Sequence, residues 1–385
     1  MNEEQNQAIN YQNIPLITTI IPTFRRPKLL KRAIESVLAQ SFKNLKIYVY
    51  DNASGDGTED VVAEYIRHDD RVFYYKNSEN IGGINNMIQG VEAVTTSFYS
   101  VLNDDDFLLP YFYENALQAF DKYPEAGFVC AKTITVDLIK KKLQFRNGDW
   151  LHGIYQPSSE IASKMYISHF CQTGVLLRTS MRQSIGPFEK SGDDKLYLVM
   201  AAASSPFVVL TYYGAVYTIH SQSYSETVGL RGGGFFSACE ALLSTVDWIM
   251  KLDLQKEEKV HLLMLAIDAY GVSFDSIKLN HLIAGMCGED KSAVMSLPSR
   301  ITYPGLFAKI YEVIPKRLHL ILTHCINVIR RIRQTKSSKK AKANWFILPE
   351  DVYCFFLNGD SNVARFLSSI QQGNRLWHEG GEADR

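Results

Sequence analysis

The chain reads as an α/β protein, a doubly wound and mostly parallel sheet followed by a helical C-terminal extension. Three observations predict this. Short apolar, β-rich runs alternate with helix-length amphipathic runs from Leu16 to about Asp137. Polar residues, Thr23, Asp51 and Asp104, fall where three of the apolar runs end, which is where such sheets bind ligands. From Phe235 onward the alternation stops and helical patterns such as Phe235–Lys251, Lys256–Tyr270 and Ser276–Met286 take over.

Taken in order, the strands are expected over Leu16–Phe24, Leu45–Asp51, Val72–Lys76, Phe98–Leu102 and Gly127–Thr135. The helices between them are expected over Pro27–Gln40, Asp60–Arg67, Ile84–Val94 and Pro110–Tyr123. Pro27 suits a first helical position, because its missing N–H has no intrahelical partner there anyway. Thr58 could cap the second helix. The organisation expected is a polar segment over 1–15, a nucleotide-binding α/β domain over 16–228 and a helical region over 229–385.

A chain of 385 residues can bury a substantial core, and 41 basic against 41 acidic residues give no general attraction to nucleic acid. The six cysteines are scattered without a Cys-x-x-Cys pair, which fits reduced thiols in a cytosol. Met1 to Asn13 is polar and lacks the apolar core of a signal peptide, and no stretch reaches the length of an apolar membrane span. The expected location is the cytoplasm.

Three carboxylates in a row, Asp104, Asp105 and Asp106, stand between the apolar run Ser97–Leu102 and Pro110. Like charges at the end of a buried strand are costly unless a cation sits among them, so this is a candidate metal site beside a nucleotide-sized crevice. A solvated acidic turn is the competing reading. Asp51 ends a second apolar strand and leads into the turn Asn52-Ala53-Ser54-Gly55-Asp56-Gly57-Thr58, where a carboxylate could accept a hydrogen bond from a base or a ribose.

These stretches, taken with Ile20-Ile21-Pro22-Thr23-Phe24-Arg25-Arg26 and Glu79-Asn80-Ile81-Gly82-Gly83-Ile84-Asn85-Asn86, resemble the successive signatures of the family 2 glycosyltransferases. The likeness runs over roughly Leu16 to His220. It implies the GT-A fold and a nucleotide-diphosphate sugar donor, with UDP favoured. Pro22, Thr23 and Asp51 would then line the base pocket, and Asn80 and Gly82 would approach the nucleoside or sugar. Asp104 and Asp105 would hold ribose or sugar hydroxyls, and Asp106 would bind a divalent cation, Mn2+ or Mg2+, at the diphosphate.

On the acceptor side, Gln172-Thr173-Gly174 and Ser191-Gly192-Asp193-Asp194 resemble the family's glycine loop and acidic catalytic motif. The helix Leu196-Tyr197-Leu198 sets Asp193 in register with the catalytic base, with Gly192 where an acid is usual and Asp194 as second choice. A plain helix cap is the alternative. His220, ending Ala215–His220, resembles the family's C-terminal metal histidine, and Arg231 in the glycine-rich stretch 229–234 could add charge at the diphosphate.

The stretch 306–342 interleaves apolar and basic residues. It suits either an anionic membrane surface or a helix packed on its own core. The function expected is a metal-dependent inverting hexosyl transfer to a saccharide or lipid-linked acceptor, in surface-polysaccharide assembly, with peripheral contact to the inner face of the membrane. A non-catalytic scaffold of the same fold and a sugar-phosphate nucleotidyltransferase are the competing classes. The latter would carry a Gly-rich phosphate loop after the first strand, which Ile21–Pro27 is not.

Overall fold

The computed structural model describes residues 16–182 and 194–223, together with short pieces at 249–262, 346–348 and 356. Its centre is a mixed sheet in which β1 (Ile17–Thr23), β2 (Leu45–Asp51), β3 (Val72–Lys76) and β4 (Phe98–Val101) run parallel in the order β3-β2-β1-β4. The helices α1 (Pro27–Leu38), α2 (Thr58–His68) and α3 (Gly83–Glu92) connect them. β1 and β2 are buried along almost their whole length because both faces of the sheet are covered. α1 packs Leu30, Ala33, Ile34 and Val37 on one face, and α3 covers the other. A Cβ at Gly90 of α3 would stand 2.4 Å from Ile20 Cγ2, so this helix lies too close to β1 for any larger residue.

Past β4 the sheet becomes mixed. β5 (Phe107–Leu108) and α4 (Phe112–Lys122) lead to β6 (Phe128–Asp137) and its hairpin partner β7 (Lys142–Phe145). After β8 (Gly153–Tyr155) and α5 (Ser159–Ile167), β9 (Val175–Arg178) inserts antiparallel between β4 and β6. α6 (Asp194–Ser204) then leads to the long β10 (Phe207–Ile219), parallel to β6 and antiparallel to β5 and β8. Trp150, Phe170 and Phe207 fill the space beneath α5 and α6.

The expected strands and helices of the first half are all present, with ends shifted by a residue or two. Pro27 does open α1. Thr58 is not a cap: it is the first residue of α2, and both its N–H and its hydroxyl donate to Asp56 Oδ1. At the far edge, β11 (Phe346–Ile347) pairs antiparallel with β7, so part of the region expected to be only helical continues the sheet. The helical patterns at 276–286 and the basic stretch at 306–342 lie outside the described residues. Among the described residues no helix is long and apolar enough to cross a membrane.

Candidate active site

A cleft of about 760 Å3 opens at the carboxyl ends of β1, β2 and β4. Pro22, Thr23, Asn80, Gly82, Asp104, Asp105 and Asp194 all line it, as the sequence reading expects. So do Gln172 of the acceptor-side glycine loop and Arg26, Asn52, Tyr217 and Gln222, none of which the sequence marks individually as a site residue. Arg231 and Asp193 lie outside the described residues.

The acid turn is built so that its three carboxylates face different ways. Asp104 turns towards β1: Oδ2 accepts from Thr23 Oγ1 at 2.8 Å, and Oδ1 accepts from Arg26 Nη1 at 2.9 Å. Asp105 Oδ2 lies 3.0 Å from the same Arg26 nitrogen and 3.1 Å from His220 Nε2. Asp106 faces inward. Its Oδ1 accepts the Thr218 N–H at 2.8 Å, and its Oδ2 accepts from Thr173 Oγ1 at 2.6 Å and from Asn103 Nδ2 at 3.3 Å. The residue expected as metal ligand is therefore committed to the protein interior, and Asp105 is the carboxylate beside His220.

Electrostatics follow burial. Desolvation pushes the Asp104 carboxyl up to about 6; Arg26 counters it, and Asp105 adds to it. Burial, and then the charge of Asp105, push Asp106 well above the usual carboxylate range. Burial alone would lower the Arg26 guanidinium, but Asp104 and Asp105 outweigh it and raise the pKa. Arg26 is thus the standing counter-ion of the turn, and its Nη2 also donates to the Gln222 carbonyl just past His220.

A similar inward turn occurs at the end of β2. Asp51 Oδ1 accepts from Ser54 N and Oγ, and Oδ2 accepts from Tyr74 OH at 2.6 Å, so this side chain pins its own turn and does not line the cleft. Asn52 does line it, held there by Asn80 Oδ1 at 2.8 Å and by the Ile81 N–H at 2.9 Å. An amide carries both an acceptor and donors, as reading the edge of a base requires. Gly82 (φ 87°) makes the left-handed turn that starts α3, whose N-terminal residues Gly83 and Ile84 face the cleft.

The residues suit a divalent cation completed by its substrate. Among the described residues no group of three or more His, Cys, Asp or Glu forms a closed ion site. Asp105, which lines the cleft, and the imidazole of His220 beside it, which is not among the lining residues, match the way Mg2+ or Mn2+ is bound by few protein ligands plus phosphate oxygens. His220 Nδ1 accepts the Gln222 N–H, which leaves the proton on Nε2, facing Asp105. Ligation through Nε2 would need the other tautomer, with the proton on Nδ1 and the Gln222 N–H bond given up.

Comparison with known proteins bears on a domain of this architecture. Residues 18–185 match the family model described as glycosyl transferase family 2. A GalNAc(5)-diNAcBac-PP-undecaprenol beta-1,3-glucosyltransferase of Campylobacter jejuni is 40% identical over 97 residues, which are 25% of this chain and 31% of that protein. Chondroitin synthase of Escherichia coli is 26% identical over 170 residues, 44% of this chain and 24% of that protein. The match thus spans a third or less of either relative. The crystal structure of S. aureus TarS 1-349 in complex with UDP-GlcNAc shares the GT-A fold at a TM-score of 0.57 and 15% identity, over 93% of this chain and 92% of that one.

Proposed function

We propose that the chain transfers a sugar from a nucleoside-diphosphate donor to a saccharide or lipid-linked saccharide acceptor with inversion at the anomeric carbon. The observation that carries this reading is the meeting of Asp104, Asp105 and Arg26 at the mouth of the cleft, with His220 against Asp105, in a stretch that matches the glycosyl transferase family 2 model. Asn52 and Asn80 would hold the base, with UDP the favoured nucleotide. Asp104, fixed by Thr23 and Arg26, would take the ribose or sugar hydroxyls. Arg26 would orient both outer carboxylates and offer positive charge to the phosphates.

Asp105 and His220 would hold the divalent cation. Bound there, it would neutralise charge building on the leaving diphosphate. The acceptor hydroxyl needs a base on the opposite wall, and the pair Asp193–Asp194 supplies it: Asp194 lines the cleft at the start of α6, and Asp193 precedes it by one residue. Asp106, turned inward, would keep the acid turn, β10 and the Thr173 loop in one arrangement. The undecaprenol-linked saccharide in the name of the Campylobacter relative supports a lipid-linked acceptor, and the basic stretch 306–342 would bring the chain to the membrane that carries it.

The test is release of nucleoside diphosphate from UDP-, GDP- and dTDP-sugars with MnCl2 or with EDTA. Turnover with one donor in MnCl2 and its loss in EDTA are expected, as is a fall of about 10²–10⁴-fold in Asp193→Asn or Asp194→Asn. Metal-independent turnover, or full activity in both variants, would remove the mechanism.

A further inference from the structure

Arg32 is a buried guanidinium that the reaction as outlined does not use. It stands on α1 with 1% of its surface exposed, behind the acid turn. Nη2 donates to the Asp105 carbonyl oxygen at 2.7 Å, while Nε and Nη1 have no hydrogen-bond partner among the described residues. The guanidinium carbon lies 5.1 Å from the centre of the Phe107 ring and 4.8 Å from that of Phe356. Phe107 directly follows the three aspartates. Phe356 belongs to the C-terminal part of the chain and packs with Leu348 into the cluster that contains Phe107 and Leu109.

A charge buried with one hydrogen bond is poor material for stability, and an apolar side chain of the same length would cost the fold less. Two features give the charge a role. The anions that favour it are Asp106 and Asp105, and its one hydrogen bond among the described residues fixes the main chain of Asp105, the residue that faces His220. Aromatic faces tolerate a guanidinium where aliphatic ones do not, so Phe107 and Phe356 explain how it can be kept there.

We propose that Arg32 is a positioning residue of the donor site, and that the C-terminal segment at Leu348 and Phe356 closes the compartment that holds it. Leu348 and Phe356 are then working parts of the donor site, joined to it through the packing of Phe356 on Arg32 and Phe107. The inference rests on the reading that Asp105 serves a nucleoside-diphosphate donor.

The experiment measures the affinity of the full chain for UDP, GDP and dTDP in MnCl2, beside thermal unfolding, for wild type, Arg32→Met, Arg32→Lys and Phe356→Ala. Arg32→Met should unfold at the same temperature or higher, yet bind the nucleotide about tenfold more weakly, a split that a merely structural residue would not give. Arg32→Lys should recover most of the affinity. Phe356→Ala, read below its own unfolding temperature, should weaken binding severalfold without touching the cleft. If wild type binds and both Arg32→Met and Phe356→Ala stay within about twofold of it, the positioning role is overturned while the donor reading stands. If wild type binds none of the three nucleotides, the donor reading falls and this inference with it.

Discussion

Four aspartates end strands or turns at the carboxyl edge of the sheet, and they fall into two pairs. Asp104 and Asp105 form the mouth of the cleft, while Asp51 and Asp106 form the wall behind it. Burial does not separate them, since their exposures are 3%, 7%, 1% and 0%. Their partners do. The wall pair accept from hydroxyls, an amide and backbone N–H groups, all neutral, and both oxygens of each are used. The mouth pair share one guanidinium that itself borders the cleft. A buried carboxylate bonded to neutral donors holds the fold together, whereas one bonded to a cation at an opening can exchange that partner for a ligand.

The largest effect that would break this comparison is expected at Asp106. Asp106→Ala leaves the Thr218 N–H, the Thr173 hydroxyl and the Asn103 amide without their acceptor, and should destabilise the fold by about 2 kcal/mol or more in urea unfolding. Unchanged stability with loss of nucleotide binding alone would return Asp106 to the mouth, where the sequence reading expects it.

Acidity sharpens the same contrast. The Asp104 carboxyl sits near 6 in the fold, above its ordinary 3.8, chiefly through burial. Its charged form therefore costs stability above pH 6, and that cost is relieved as pH falls from 6 towards 4. Between pH 7 and 5 the unfolding temperature should hold or rise on this account while nucleotide affinity declines. Parallel loss of both would mean that Asp104 acts as a structural acid like the wall pair.

A smaller effect lies beside Asp51. Ala53 has φ 59°, a left-handed conformation that strains any residue with a Cβ. Ala53→Gly should stabilise the chain by about 1 kcal/mol and leave nucleotide binding alone, measured by chemical unfolding. Weaker binding would show that the turn after β2 tunes Asn52.

The parallel half of the sheet was legible because its signals are local: apolar runs of strand length, Pro27 at a helix start, and polar residues at strand ends. Which of several adjacent polar residues faces the cleft was not legible. Asp106 is turned inward by Thr173 and Thr218, far away in sequence, and Asp51 by Tyr74 on the next strand. Asn52 and Arg26 both lie within the family-like motifs, but nothing local favours them over the carboxylates beside them, and the pairing of Asn52 with Asn80 joins two motifs that no local pattern connects. The insertion of β9, the shifts of register along β10 and the return of β11 to the edge of β7 depend on long-range pairing, to which periodicity is blind.

The central claim is that Asp105 of the mouth pair holds the cation that meets the diphosphate of the donor. Calorimetric titration of UDP in MnCl2 into wild type and Asp105→Asn tests it most directly, because the substitution keeps shape and removes only charge. The account predicts binding by wild type and affinity at least about tenfold weaker in a variant that unfolds no more easily. Equal affinity in the two proteins would contradict it.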